Sequence, residues 1–313
     1  MKVFVLLPNE DWFCDRFGDE YFRYSRHEVS TSTISTSTDI IWLLASWCWK
    51  DIPLNILLNK KVVCTIHHEV PEKFSHDRKQ NFLFRDKFVD VYHVPCKKTK
   101  AFISNFTIKP IEVISYWCNN DLFKSYDKIE MKKRFNLPED HFIVSSFQRD
   151  TEGSDLISPK LEKGPDIFVK YIEKLKKQGL KIHVLLNGWR RQYIINCLNN
   201  LKIGYSYFEL PKMQEVVKMY SATDLYVVGS RVEGGPQSIL ECAITKTPIV
   251  STDVGIASNV LNKNCIFDPF DSEKSFETYV PTNKDIEYAF NKVNDYLIED
   301  QITKYDDFFD RIK

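Results

Sequence analysis

Charge of one sign is not in excess in this sequence. Lys and Arg together number 43 and Asp and Glu together number 43, so the formal net charge is zero. A nucleic-acid binder leaves a basic footprint, so no nucleic-acid partner is expected. CxxC pairs are also missing. The eight cysteines stand at 14, 48, 64, 96, 118, 197, 242 and 265, several inside apolar segments. That usage fits reduced thiols serving as small hydrophobes in a cytoplasmic protein. Long hydrophobic runs are absent as well. The longest, Ile40–Trp49, is about half a membrane span. The opening "MKVFVLLPNED" is too short in its apolar part for a signal-peptide core. No internal repeat has a fixed period. The one low-complexity stretch, "STSTISTST" (Ser30–Thr38), reads as a polar strand or a loop and is given no chemistry.

What is present is 43% hydrophobic residues over 313 positions, enough for one large or two medium domains. Short runs rich in Val, Ile and Phe predict strands at Val3–Leu7, Asp39–Leu44, Lys61–Ile66, Val89–Val94, Ile111–Ser115, Phe142–Phe147, Ile182–Asn187, Tyr205–Leu210, Leu225–Val228 and Pro248–Ser251. Between many of them lie helical patterns. Asp166–Gly179 is one, with apolar residues at 167, 168, 171, 172 and 175 and a terminal glycine. Continuous apolar strands separated by helices predict parallel α/β units. The segment "YWCNNDLFKSYDKIEMKKRFNLPEDH" has no apolar strand and reads as a linker. The expected division is 1–125, 126–281 and a helical tail, 282–313, packing back on the first domain.

In open parallel sheets ligands bind beyond the carboxyl ends of the strands. After "FIVSSF" comes Gln148-Arg149, then a loop with Lys160 and Lys163. After "IHVLLN" comes Gly188-Trp189-Arg190-Arg191. After "LYVV" comes "GSRVEGGPQSILECA", and after "PIVS" comes Thr252-Asp253-Val254-Gly255. Gly234 and Gly235 permit close backbone approach. Pro236 suits the first helical position. A helix Gln237–Ile244 then starts with unpaired N–H groups, including those of Gln237 and Ser238, and a positive dipole end that suits a phosphate. Arg149 and Lys163 are the opposing cations of a diphosphate clamp. Glu233 and Glu241, on either side of that anion site, are acceptors for paired hydroxyls. A phosphate flanked by polyols is the layout of a nucleotide sugar. The plain alternative is a helix start with two surplus carboxylates.

These residues resemble glycosyltransferase family 4, retaining enzymes of the GT-B fold. "EGGPQSILE" carries a Glu-x7-Glu pattern, followed by "TPIVSTDVG". "SFQR…KLEKGPDIF" resembles the family's Arg…Lys-Gly segment, and "IEVISYWCNNDLF" its interdomain crossover. The likeness is strong over 111–262 and weak before. It implies an α/β GT-B architecture of two Rossmann-like domains whose parallel sheets face a central cleft. Carried over by position, Arg149 and Lys163 bind the donor diphosphate, with Lys160 a rival because the loop after Arg149 is long. Glu241 holds the ribose, while Glu233 with Gly234 and Gly235 meets the donor sugar and phosphate. Arg190 and Gly255 complete the donor set. His67, with His68 second, stands where the family has a site histidine; a buried or surface histidine is the plain reading. The first domain departs from the family, because no glycine follows the first strand until Gly18.

The implied reaction moves a sugar from a UDP-, GDP- or ADP-sugar to a glycan or lipid-linked acceptor by same-face attack. No metal and no cofactor are expected, and no two aspartates lie two apart as a metal-binding Asp-x-Asp would need. A non-catalytic GT-B subunit or a sugar-nucleotide epimerase is the alternative. Lys73–Phe102 carries eight Lys or Arg against three Asp. It reads either as a solvated helix face or as a peripheral contact with anionic lipid.

Overall fold

The computed structural model describes residues 1–11, 13–270 and 276–313. The chain divides into two compact units, Met1–Trp117 with Leu297–Lys313, and Cys118–Tyr296. Each is built on a six-stranded parallel sheet.

In the first unit β1 (Lys2–Leu6), β2 (Glu28–Ser30), β3 (Ile40–Leu43), β4 (Lys61–Thr65), β5 (Val91–Val94) and β6 (Ile111–Val113) lie in the order β2-β1-β3-β4-β5-β6. Successive side chains leave a strand on opposite faces. Trp42 therefore packs with Val3, Val5 and Val63 on one side, and Ile41 and Leu43 with Val62 and Cys64 on the other. Both faces are covered, which is why these strands read as continuous apolar runs. The helices Phe13–Tyr24 and Ile298–Ile312 cover the Trp42 face with Phe17, Tyr21, Tyr305 and Phe309. The second of these buries Ile298, Ile302, Tyr305 and Phe309, a helical spacing. Its buried Asp306 accepts from Tyr21 Oη (2.7 Å), Ser25 Oγ (2.6 Å) and the Arg26 N–H (3.0 Å).

In the second unit β7 (Phe142–Ser146), β8 (Ile182–Asn187), β9 (Gly204–Phe208), β10 (Leu225–Val228), β11 (Ile249–Thr252) and β12 (Ile266–Phe267) lie in the order β12-β11-β10-β7-β8-β9. The chain builds outward from β7 through β8 to β9, then returns to lay β10 on β7's other side. The strand order thus reverses between β7 and β10, and the carboxyl ends of those two strands flank the position where such sheets bind ligands.

The structure departs from or sharpens the sequence reading in four places. Two of the four edge strands, β2 and β12, have no counterpart among the predicted strands; they are short, and β2 buries only Val29. The polar stretch Ser30–Thr38, read as a strand or a loop, is a loop beyond Ser30, with Ser30 Oγ accepting from the Thr33 N–H (3.1 Å) and Thr38 Oγ1 from the Ser35 N–H (2.9 Å). The presumed linker is built structure. Trp117 stacks on Phe17 in the first unit, with ring centroids 3.4 Å apart. Met131, Phe135 and Leu137 pack with Leu185 and Met219 in the second. The boundary therefore falls at Trp117/Cys118, not at 125/126. Finally, the tail is not one element. The helix Asn283–Val293 belongs to the second unit, and only the segment from Leu297 joins the first.

Candidate functional site

The carboxyl ends of β7 and β10 are tied to each other and to the loop that carries Lys163. Gln148, just past β7, donates from Nε2 to Lys163 O at 2.7 Å. Ser230, just past β10 and fully buried, donates to Gln148 Oε1 at 3.3 Å and lies 3.2 Å from Glu233 Oε1. Thr252 at the end of β11 donates to Ser230 O at 2.6 Å. Two glycines make the close approach possible. Gly164 has φ +63°, and a Cβ there would stand 1.7 Å from Gly229 O. Gly255 has φ +54°, and a Cβ there would meet Gly234 O at 2.7 Å. Any other residue would push these loops apart.

This framework gathers three cations. Lys163 Nζ donates to Glu233 Oε1 at 2.6 Å, with both side chains largely buried. Lys160 Nζ lies 3.9 Å from buried Glu162. Burial, and after it the charge of Lys163, holds the Lys160 ammonium below the usual lysine pKa; Arg149 adds to the effect. Burial and then Arg190 likewise lower Arg149. Arg149 donates from Nε to Thr151 O at 2.9 Å, and its guanidinium stands 5.3 Å from the centre of the Trp189 ring. The loop between Arg149 and Lys160 is a small closed turn, with Thr151 bridged to Pro159 and the Lys160 N–H donating to Asp150 O at 2.7 Å. The sequence set Lys160 and Lys163 against each other; the structure brings both into one cluster with Arg149.

The helix Gln237–Ile244 begins directly after the Gly-Gly-Pro turn. Pro236 is its N-cap, with φ −61° and ψ 112°, one place before the first helical position expected for it. Gln237 Nε2 is buried and has no hydrogen-bond partner among the described residues. Glu241, one turn into the helix, is 7% exposed, and its Oε2 accepts from Tyr220 Oη at 2.6 Å. Asp253 to Gly255 abut this turn through Gly255.

Arg190 and His67 differ from the rest. Arg190 lies with its guanidinium 4.5 Å from the Trp189 ring centre and donates to Gly153 O at 2.9 Å, a contact with loop backbone. His67 belongs to the first unit. Its Nε2 lies 2.9 Å from Leu44 O, and its Nδ1 is hydrogen-bonded to Tyr116 Oη. A carbonyl only accepts, so Nε2 carries the proton and Nδ1 accepts from the phenol. Both ring nitrogens are thus engaged within the unit, with Cys14 Sγ also 3.5 Å from Nε2. His68 is half-buried beside it.

Sequence reasoning gave no role to the residues beneath the site, although Arg191 was among those noted at a strand end. Arg191, wholly buried, donates from Nε to Asp150 Oδ2 at 2.6 Å and from Nη1 to Ser146 O and Asn187 O, joining the ends of β7 and β8. Arg231 makes a bidentate pair with Asp166, at 2.8 and 2.7 Å, which fastens the helix Pro165–Lys177 to the loop after β10. Tyr220 was not considered. The only available signal was position: Asp150 and Arg191 each stand next to a residue already singled out.

The fold is that of solved GT-B proteins. A glycosyltransferase from Rickettsia africae ESF-5 matches with a TM-score of 0.69 at 14% identity, over 99% of this chain and 98% of that one. Anabaena Alr3699/HepE, solved in complex with UDP and glucose, matches at 0.65 and 14%, over 100% and 97%. Residues 158–280 match the family model described as glycosyl transferases group 1, a span running from Ser158 past Gly255. Among curated proteins, the O-antigen chain mannosyltransferase RfbU of Salmonella typhimurium is 22% identical over 96% of this chain and 87% of its own length. The O-antigen biosynthesis glycosyltransferase WclY of Escherichia coli is 22% identical over 47% and 38%. Among the described residues no helix is long and apolar enough to cross a membrane.

Proposed function

We propose that this chain is a retaining glycosyltransferase that moves a hexosyl group from a nucleoside-diphosphate sugar to a hydroxyl of a glycan or lipid-linked glycan, without a metal ion. The observation that carries the proposal is the cluster of Arg149, Lys160 and Lys163 at the β7/β10 switch point, close to the start of the helix Gln237–Ile244. Three cations held partly out of water against Glu162 and Glu233 favour an anion beside them, and a diphosphate supplies the charge. The mannosyltransferase RfbU and the glycosyltransferase WclY, and the UDP and glucose bound by Alr3699/HepE, support the same substrate class.

In this reading the diphosphate takes Lys163 from Glu233, and the released carboxylate meets hydroxyls of the donor sugar. Glu241 accepts from the ribose. As the glycosidic bond breaks, negative charge grows on the leaving phosphate. Arg149, Lys163, Lys160 and the first amides of the helix stabilise it, as preorganised donors do without reorganising during the reaction. The acceptor hydroxyl enters from the side the phosphate left and passes its proton to that phosphate. The enzyme works in the cytoplasm, at a membrane surface where the acceptor is lipid-linked.

The reaction is tested by incubating the protein with UDP-, GDP- and ADP-hexoses and a lipid-linked glycan acceptor, in EDTA. The product's anomeric configuration is then read by NMR. The expected product keeps the donor's configuration and forms at an undiminished rate in EDTA. An inverted product, or a rate abolished by EDTA and restored by a divalent cation, contradicts the proposal.

A further inference from the structure

Tyr220 ends the helix Met213–Ser221, one turn before β10, and is 2% exposed. Its hydroxyl donates to Glu241 Oε2. Its ring packs against Phe147 at 5.0 Å, Tyr226 at 5.5 Å and Phe123 at 6.3 Å between centroids. Phe147 is the residue after β7, two before Arg149, and its N–H donates to Tyr226 Oη at 2.9 Å. One buried aromatic cluster therefore underlies both Glu241 and the strand end that leads to Arg149.

We propose that Tyr220 is a positioning residue for nucleotide binding. Its hydroxyl fixes the rotation of the Glu241 carboxylate, so that the carboxylate is presented in a set orientation to the paired hydroxyls of a ribose. The proposal rests on the reading of this site as a nucleoside-diphosphate site. A carboxylate has about four lone-pair directions on two oxygens, and one hydrogen bond to a rigid donor selects among its orientations. A glutamate held in advance loses little rotamer freedom when ligand arrives, whereas an unheld one loses it on binding. Burial, and then the charge of Glu241, raises the Tyr220 phenol well above its usual pKa. The hydroxyl therefore keeps its proton and remains a donor across the pH range in which the protein works. The ring fills space that phenylalanine would fill equally; only the hydroxyl serves Glu241.

The experiment titrates wild type, Tyr220→Phe, Glu241→Gln and the double variant with UDP, GDP and ADP, with the 2′,3′-dideoxy form of each nucleotide that binds, and with pyrophosphate. The expected wild type prefers the ribose form. Tyr220→Phe cuts that preference about tenfold, leaves pyrophosphate affinity unchanged, and has no further effect once Glu241 is glutamine, as two groups acting as a unit require. Equal weakening toward ribose, dideoxy and pyrophosphate ligands would reduce Tyr220 to packing and overturn the proposal. An unchanged ribose preference would do the same. If wild type binds none of the three nucleotides, the reading of the site fails first and Tyr220's role falls with it. Should Tyr220→Phe not fold, Glu241→Gln supplies the second measure: it must lose the ribose preference, and its retention overturns the proposal.

Discussion

Gly164 shows how closely single residues constrain the site. It sits between Lys163 and the helix Pro165–Lys177 at φ +63°, with its α-carbon facing Gly229 O. The Lys-Gly pair was visible in the sequence, but the reason for the glycine was not. It depends on a neighbour 65 positions away, which no local pattern encodes. Gly164→Ala is expected to lose more than about 2 kcal/mol, since a strained φ and a backbone collision act together. Thermal unfolding measures this, and an unchanged midpoint would mean that the two loops are not in contact. The same limit applies to charge. Arg149, Lys160, Lys163, Glu233 and Glu241 could each be picked out from the chain, because they follow neighbouring predicted strands onto one sheet edge and their spacing resembles a family motif. That Glu233 would hold Lys163, and Tyr220 hold Glu241, needed coordinates. His67 was equally legible as a residue, yet its two hydrogen bonds to Leu44 O and Tyr116 lie within its own unit.

At the scale of elements, apolar runs located the central strands well, because a strand buried on both faces has nothing else to be made of. Ile182–Asn187 and Leu225–Val228 match to the residue. Two of the four edge strands, β2 and β12, escaped because they are too short to leave a hydrophobic run: they are three and two residues long. The final helix was visible as a helix that packs back on the first domain, but the contacts that hold it there were not. Through Tyr305, Phe308 and Phe309 it completes the core around Trp42, and Asp306 receives three donors from the first helix and the turn after it. Asp306→Ala is expected to destabilise the first unit by on the order of 2–4 kcal/mol, because it leaves the buried Tyr21 hydroxyl and its neighbours unpaired. Urea unfolding followed by tryptophan fluorescence reads this through Trp42. A loss below about 0.5 kcal/mol would show that water replaces the carboxylate without cost.

At the scale of the whole molecule, two parallel sheets and their order follow from alternating strands and helices, but the division of the chain does not. A core shared by residues 1–117 and 297–313 has no local mark. Both units also carry a neutral histidine, buried in the first and half-buried in the second, which makes stability depend on pH. Burial lowers the His93 pKa from the ordinary 6.5 to about 3; its ring lies between Thr65 Oγ1, Ile114 O and Tyr305 Oη. Between those two values the unfolded chain takes up a proton that the folded chain does not. The contribution is therefore complete above about pH 6.5 and is lost as pH falls toward 3. His183 in the second unit, lowered to about 4 chiefly by burial, acts in the same direction. Urea midpoints should fall from pH 7 to pH 4, and the fall should be shallower in His93→Gln than in wild type. Parallel curves would mean that His93 is charged in the folded protein.

The central claim is that Arg149, Lys160 and Lys163 form an anion site shaped for a nucleoside diphosphate. Calorimetric titration of wild type and Lys163→Ala with UDP, GDP and ADP tests it most directly. The account predicts that wild type binds one of the three and that Lys163→Ala weakens it at least about tenfold, since a partly buried charge-assisted hydrogen bond is lost. Binding of none of the three by wild type, or equal affinity in Lys163→Ala, would contradict it.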